Sequence, residues 1–527
     1  MRLLAGSLPG PSQKNPFIVL GVITLIFVVA YELAQYVIAG DTIGLTYIAL
    51  AVVVGGAMLT ILNNWRAGTF MFFGWLFFED LARKYLGNNM AIYFGKDFLV
   101  AVIYLSFFIA YRRKQVQIFR PPFLIPLLLF VWFGVIQVFN PSSNSFFTGA
   151  LGLKLYFYYI PLFLIGYCII RTEADLRRFY PFLMLLTVIV AGLGIAQAIL
   201  GHTFLNPAVL QDDIRELSMN YRVAPISGVM VYRPTSVFVS AGRFAFFLVP
   251  AFLFALGYGA YLLLRSKSHR LLVLLTLATT VVAIALCASR GTLLWSCCSA
   301  LVCIPAFIWG CPWQKGQLTR VLRGFQRAIL AGVAAVLLTL MVFPDAIKDR
   351  VAFYWETLDP NSTTSELVHR TQTYPLQQLG YAFDYPQWPY GYGIGTTSLG
   401  TQYISRILHV PSLGIGVESG FGALILELGV VGLIFYLISA STIIVTAWSA
   451  VLKLKGTPWF PLGFVIFWYA FLFFFLYMWG GFQPFQDFIL NALLWFSLGI
   501  LFRMQSLPVI GQASPAAVHH AQGFRQA

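Results

Sequence analysis

Apolar residues run in blocks of about 16 to 30 along most of the chain, with short polar links between them. Blocks of that length can cross the roughly 30 Å hydrocarbon core of a bilayer as helices. Composition agrees. Of the 527 residues, 59% are hydrophobic and 10% charged, with a mean hydropathy of +0.79. Soluble domains carry about 25% charged residues. A soluble enzyme, a disordered chain and a nucleic-acid binder are excluded. The expected fold is all-α, a polytopic helical membrane protein.

Fourteen spans are expected: Phe17–Ala39, Thr42–Leu62, Thr69–Leu81, Phe98–Tyr111, Pro122–Phe139, Leu155–Ile170, Phe179–Leu200, Ser236–Leu264, Leu271–Ala288, Thr292–Cys311, Ala328–Phe343, Gly420–Val451, Pro461–Met478 and Phe485–Phe502. The third is short and ends in Glu79-Asp80, so a re-entrant element would reduce the count to twelve or thirteen. The first lacks a small-residue cleavage site and reads as a retained span. The six cysteines lie in or beside apolar spans, which suggests neither a disulfide framework nor a zinc site.

Lys and Arg in short loops mark the cytoplasmic side. The strongest marker is Arg112-Arg113-Lys114 with Arg120, and alternation from it places both termini in the cytoplasm. Twenty-one of the 34 Lys and Arg then fall on that side, against two acids, Glu173 and Asp175. The net charge of +15 is thus a topology signal, not a polyanion footprint. The organisation reads as an N-terminal transmembrane bundle (1–200), a first extracytoplasmic loop (201–235), central transmembrane helices (236–343), a large extracytoplasmic loop (344–417), C-terminal transmembrane helices (418–502) and a cytoplasmic tail (503–527). The large loop is too aromatic for a disordered linker, with Phe353-Tyr354-Trp355, Tyr374, Tyr381, Trp388 and Tyr392 among its rings. A folded cap is expected there.

Cations on the outer side oppose the usual bias and need a reason. Arg290 sits in the turn Ala-Ser-Arg-Gly, Arg233 at the mouth of the eighth span, Arg243 inside it, and Arg370 in the large loop ahead of Gly391-Tyr-Gly-Ile-Gly395. Arg83 and Lys84 follow the third span, and Lys154 precedes the sixth. Guanidiniums gathered around one outer cavity would clamp a phosphate or diphosphate, because they bind its oxygens bidentately and stay charged. The plainer reading is snorkelling or pairing with nearby acids, for example Arg83 with Glu79 or Asp80. Glu418-Ser419 opens the twelfth span, where a carboxylate near a helix start can act as a general base towards an outer-leaflet ligand. Glu427 reads as a buried structural contact, with Gly429 and Gly432 allowing close helix packing.

In this order the pieces resemble the O-antigen ligase and O-antigen polymerase superfamily of bacterial envelope glycosyltransferases. Glu418-Ser419, nine residues, then Gly429-x-x-Gly432 matches the spacing of the ligase motif, with Glu where the ligases carry His. Ser289-Arg290-Gly291 resembles the family's arginine turn, and Arg233-Pro-Thr-Ser-Val-Phe its arginine and small-polar stretch. The block from Phe78 to Asp97, with Phe139-Asn-Pro141, looks like exopolysaccharide polymerase-like members.

The resemblance implies a C-type glycosyltransferase-like fold in the bacterial cytoplasmic (inner) membrane, its active site facing the exterior. It implies an undecaprenyl-diphosphate-linked oligosaccharide as donor and a glycan acceptor. The implied reaction is inverting transfer with no metal or cofactor, and the expected product is a polymer of repeat units. Ligation to a lipid or protein acceptor, and a flippase or exporter of lipid-linked sugars, are the alternatives. Glu418, Arg290 and Arg370 become the catalytic set. Arg233, Arg243, Arg83, Lys84, Lys154, Ser419 and His409 become substrate-binding residues, and His409 is the alternative base if its loop folds back. The bilayer, a chain-length regulator and export machinery are the further partners implied, and no nucleic acid.

Overall fold

The computed structural model describes residues 54–86, 90–207, 219–265, 268–313, 344–359, 373–398 and 414–507, with single positions between them. The expected span Phe17–Ala39, most of Thr42–Leu62 and Ala328–Phe343, the tail beyond 507, Arg370 and His409 lie outside the described residues.

The elements are α1 (Val54–Asn63), α2 (Trp65–Tyr85), α3 (Met90–Arg112), α4 (Leu124–Gln137), α5 (Phe146–Phe157), α6 (Leu162–Ile169), α7 (Glu173–Leu200), β1 (Tyr221–Val223), β2 (Met230–Tyr232), α8 (Ala241–Arg265), α9 (Arg270–Leu286), α10 (Arg290–Gly310), α11 (Pro344–Leu358), α12 (Tyr374–Tyr381), α13 (Gly420–Leu454), α14 (Phe460–Phe471) and α15 (Phe488–Met504). Seven stretches among the described residues are helical, long and apolar enough to cross a membrane: Ile92–Arg112, Phe146–Ile169, Glu173–Leu200, Ala241–Arg265, Arg290–Gly310, Gly420–Lys453 and Phe460–Trp479. Val54–Asn63, Leu124–Gln137, Arg270–Leu286 and Phe488–Met504 are shorter apolar helices. This is the architecture of a multi-pass membrane protein.

Two departures from expectation follow from local chemistry. The expected span Leu155–Ile170 begins earlier, at Phe146, because Ser145 caps that helix by accepting from Phe147 N at 3.1 Å. The first long loop contains an antiparallel hairpin, β1 with β2, in which Tyr221 faces Tyr232 and Val223 faces Met230. The described residues are therefore helical with one small sheet.

The described residues form two compact units. Residues to Met71, with Phe98–Phe107, make one. There Trp65 packs edge-on against Phe107, with ring centroids 5.2 Å apart, and Ser106 Oγ donates to Ile61 O at 2.8 Å. The other unit holds Phe72–Asp97 and everything from Phe108 onward. Its core includes a ladder of stacked rings, Tyr180 on Tyr258, Tyr258 on Tyr261 and Tyr261 on Trp459, at 5.1, 5.8 and 5.4 Å.

Within this second unit, α13 is broken at Gly429, where φ is 69° and ψ −175°. Only glycine takes that conformation cheaply. The segment Pro389–Gly395 fills the break. Tyr392 N donates to Leu426 O at 2.7 Å, Gly393 N to Glu427 O at 3.0 Å, and Val430 N to Pro389 O at 3.1 Å. Gln137 Nε2 adds a bond to Tyr390 O at 2.9 Å, and Asn140 Nδ2 one to Gly391 O at 3.0 Å. The backbone groups released by the break are thus paired, as an apolar surrounding demands. A Cβ at Gly429 would lie 2.5 Å from Pro389 O. The glycine serves a chain crossing, not the close helix packing expected of it.

Candidate functional site

Three polar groups of the second unit carry those of the expected site residues that are described. The first gathers Arg83, Lys84, Lys154 and Arg243. Asp80 is its centre. Its carboxylate accepts from Arg83 Nη1 at 3.1 Å, from Val239 N at 3.3 Å and from Arg243 Nη1. Lys96 Nζ lies 3.1 Å from Glu79, and Lys154 Nζ lies 2.6 Å from Asp97, which also accepts from Tyr159 OH at 2.9 Å. Arg243 Nε is 3.9 Å from Asp487, the cap that accepts from Ile489 N and Leu490 N at the start of α15. The ring of Tyr93 lies under Arg83, Lys96 and Lys154, at 4.9, 3.8 and 4.4 Å. Four cations, Arg83, Lys96, Lys154 and Arg243, therefore share four carboxylates. For Arg83 the pairing with Asp80 is the arrangement found. Lys84 differs from the rest, since its Nζ donates to Thr235 Oγ1 at 2.8 Å and Ser236 O at 2.9 Å.

The second group gathers Arg233 and Arg290, with Arg222 from β1. Arg290 is the first residue of α10, whose cap Ser289 accepts from Thr292 N at 3.4 Å. Its guanidinium lies over the Phe353 ring at 5.3 Å. Arg233 follows β2, and its N–H donates to Asn220 O at 2.9 Å. Its Nε is buried and has no hydrogen-bond partner among the described residues. Burial pushes the Arg233 guanidinium below its ordinary pKa, and Arg222 and Arg290 push the same way. It remains charged nonetheless. The other groups acting most strongly on it are Cys287 and Tyr354, so no carboxylate is among them.

Arg350, which the sequence did not single out, and Tyr354, marked there only as one of the loop's aromatic rings, hold this group together from α11. Arg350 is 5% exposed. It donates through Nε to Leu286 O at 2.8 Å, and through Nη2 to Tyr232 O at 3.2 Å and Ala198 O at 3.3 Å. Tyr354 OH accepts from Ser289 N at 3.1 Å and donates to Ile284 O at 3.3 Å. The only sequence signal was a pair of polar residues one helical turn apart.

The third group is Glu418-Ser419 at the start of α13. Ser419 is buried, and its Oγ accepts from Gly422 N at 3.0 Å, so it is a helix cap. Glu418 is exposed. Its carboxylate accepts from Tyr374 OH, and its N–H donates to Gln378 Oε1 at 3.0 Å. Both partners belong to α12 of the cap. Glu427 is buried and accepts from Thr397 N at 3.0 Å and Thr397 Oγ1 at 2.6 Å, in keeping with a structural contact.

The turn Gly480–Asp487 joins these groups at one end of the bundle. A Cβ at Gly481 would lie 2.7 Å from Glu418 O, Phe482 stacks on Phe246 of α8 at 3.6 Å, and Asp487 faces Arg243. Tyr477, just before the turn, packs on Trp295 of α10 at 6.0 Å. The starts of α8, α10, α13 and α15 are therefore neighbours. The expected single clamp is divided between an ion-paired network and a separate arginine group. No family model, curated protein or solved structure matches this chain.

Proposed function

We propose that the chain is an integral-membrane glycosyltransferase that extends an undecaprenyl-diphosphate-linked oligosaccharide on the outer face of the membrane. The class rests on the motif order described above. The observation that carries it is the convergence of Arg233 with Arg222 and Arg290, with no carboxylate among the groups that act most strongly on Arg233.

In this reading the Glu418 carboxylate takes the proton of an acceptor hydroxyl. The hydroxyl oxygen attacks the anomeric carbon as the bond to the diphosphate oxygen breaks, and the electron pair leaves on the diphosphate. Arg233, Arg290 and, on the sequence resemblance, Arg370 stabilise that anion. Fixed charge aimed at a developing anion in a water-poor site is among the most effective forms of catalysis. Exposure of Glu418 suits contact with an acceptor, and Tyr374 keeps its carboxylate oriented until that acceptor arrives. Glu418 in place of the ligase His favours extension of the lipid-linked glycan over ligation.

The test is turnover by purified protein in lipid with an undecaprenyl-diphosphate-linked repeat unit, beside Glu418→Gln, His409→Ala and Arg290→Ala. The expected result is longer lipid-linked glycan from the wild type and His409→Ala, with near-complete loss in Glu418→Gln and Arg290→Ala at normal yield. Loss in His409→Ala with retention in Glu418→Gln would move the base to the loop histidine. Movement of the repeat unit between leaflets without elongation would replace the enzyme by a flippase.

A further inference from the structure

The strap Tyr232–Ser236 runs between the arginine group and the ion-paired network, and it is fastened at both ends. At its start, Arg350 Nη2 holds Tyr232 O at 3.2 Å. At its end, Gln197 Oε1 accepts from Thr235 N at 2.8 Å and Ser236 N at 2.7 Å, while Lys84 Nζ grips Thr235 Oγ1 and Ser236 O. Ser236 Oγ donates to Val190 O at 2.6 Å. Ser236 sits at φ 52°, a conformation an L residue keeps only when its surroundings enforce it. Between the fastenings lie Arg233 and Pro234, whose ring fixes φ. Arg350 and Tyr354 also bind the turn that leads into Arg290, through Leu286 O and Ser289 N.

We propose that Arg350, Tyr354, Gln197 and Lys84 are positioning residues for the oxyanion site formed by Arg222, Arg233 and Arg290, and do not themselves touch the anion. This rests on the reading above and reassigns Lys84 from ligand to support. The physical case is preorganisation. Like-charged guanidiniums held together repel, so a flexible strap would let Arg233 swing away and would have to be reordered at each binding event. Neutral Gln197 and Tyr354 cannot attract a phosphate by charge, and their hydrogen-bond partners in the strap and turn are almost all backbone groups. Their contribution is therefore geometric.

The experiment is binding of inorganic pyrophosphate to the full-length protein in detergent, measured on the folded fraction across a range of salt. Arg350→Lys keeps the charge but loses the three-carbonyl fork, and Tyr354→Phe keeps the volume but loses the hydroxyl. Each is expected to weaken binding about tenfold, the loss of one hydrogen bond's worth of alignment to a charged ligand. The steepness with which affinity falls with salt should stay as in the wild type, because the charges that touch the anion are unchanged. Arg233→Gln should both weaken binding and flatten that dependence. Wild-type affinity in Arg350→Lys and Tyr354→Phe would overturn the proposal, and so would a salt dependence flattened as far by Arg350→Gln as by Arg233→Gln, which would make Arg350 a ligand. The mild Tyr354→Phe keeps the test open if Arg350→Lys does not fold. A wild type that binds no pyrophosphate would remove the oxyanion site itself, and this proposal with it.

Discussion

Gly429→Ala tests the feature on which docking of the Pro389–Gly395 segment depends. The residue sits at φ 69° and ψ −175°, a region that costs a side-chain-bearing residue about 1–3 kcal/mol. The new Cβ would meet Pro389 O at 2.5 Å and Tyr390 C at 2.7 Å. Both are backbone atoms and cannot rotate away. Either α13 straightens or Pro389–Gly395 lifts, and either movement endangers the bonds Tyr392 N to Leu426 O, Gly393 N to Glu427 O and Val430 N to Pro389 O. At roughly 1 kcal/mol net for each bond, these add to the conformational cost to give about 5 kcal/mol. For a large chain that corresponds to a fall of roughly 10 °C in the unfolding midpoint. The assay is the fraction of detergent-solubilised protein that stays monodisperse after heating. Gly192→Ala is the control, since a Cβ there meets nothing within 4 Å and α7 is regular around it. That variant should match the wild type or gain up to about 1 kcal/mol. A Gly429→Ala midpoint within about 2 °C of wild type would refute the reasoning, because it would mean that the helix break and the docked segment are not coupled.

Asp80→Asn should destabilise by about 3–5 kcal/mol, because Arg83 and Arg243 lose their shared carboxylate. Asp80→Asn with Arg243→Met should recover part of the loss in the same heating assay, and a wild-type midpoint for Asp80→Asn alone would contradict the ion-pair account. Glu356 accepts from Ile226 N at 2.8 Å and Ser227 N at 3.0 Å, and hydrogen bonds from Ser227 and Ile226 hold its carboxyl below the ordinary value. A depressed folded-state pKa means that the contact contributes above the ordinary carboxylate pKa and is lost as the pH falls through the folded one. After correction for intrinsic rates, amide exchange at Ile226 and Ser227 should therefore speed up on acidification, while Glu356→Gln should exchange fast throughout. Equal acid responses in the two proteins would contradict this. Turnover should persist in excess chelator, and complete loss there would overturn the metal-free mechanism that the resemblance implies.

Among the described residues the apolar helices were legible because each apolar block states its own fate, but their ends were less so, since the helices at Met90 and Phe146 begin well ahead of the expected Phe98 and Leu155. Ser289 and Ser419 both proved to be helix caps, which their small hydroxyl side chains ahead of apolar runs allow. The hairpin was not legible, since strands of three residues are too short to show a period-two pattern. Arg83 with Asp80 could be anticipated from its three-residue spacing. Lys154 with Asp97, and Arg243 with Asp80 and Asp487, could not, because those partners are separated by 57, 163 and 244 positions and meet only in the fold. Arg350 was hidden for the same reason. Its value lies in three carbonyls contributed by Ala198, Tyr232 and Leu286, and a carbonyl has no sequence signature.

The cations expected on the outer side looked alike in the sequence, and their partners now divide them. A cation beside a carboxylate has its charge demand met, and a phosphate must displace that partner and repay its desolvation before gaining anything. Arg83, Lys154 and Arg243 stand in that position. Arg233 does not, because its strongest charged neighbours repel it and an arriving oxyanion would relieve the repulsion. The two groups should therefore fail in opposite ways. Neutralising Asp80 should lower stability far more than anion binding measured on the protein that remains folded. Arg233→Gln should lower anion binding and leave stability equal or raised, since it removes a repelling charge. If both substitutions instead cost stability alone, the arginine group would be one more structural cluster, and the proposed site would have to be sought closer to Glu418.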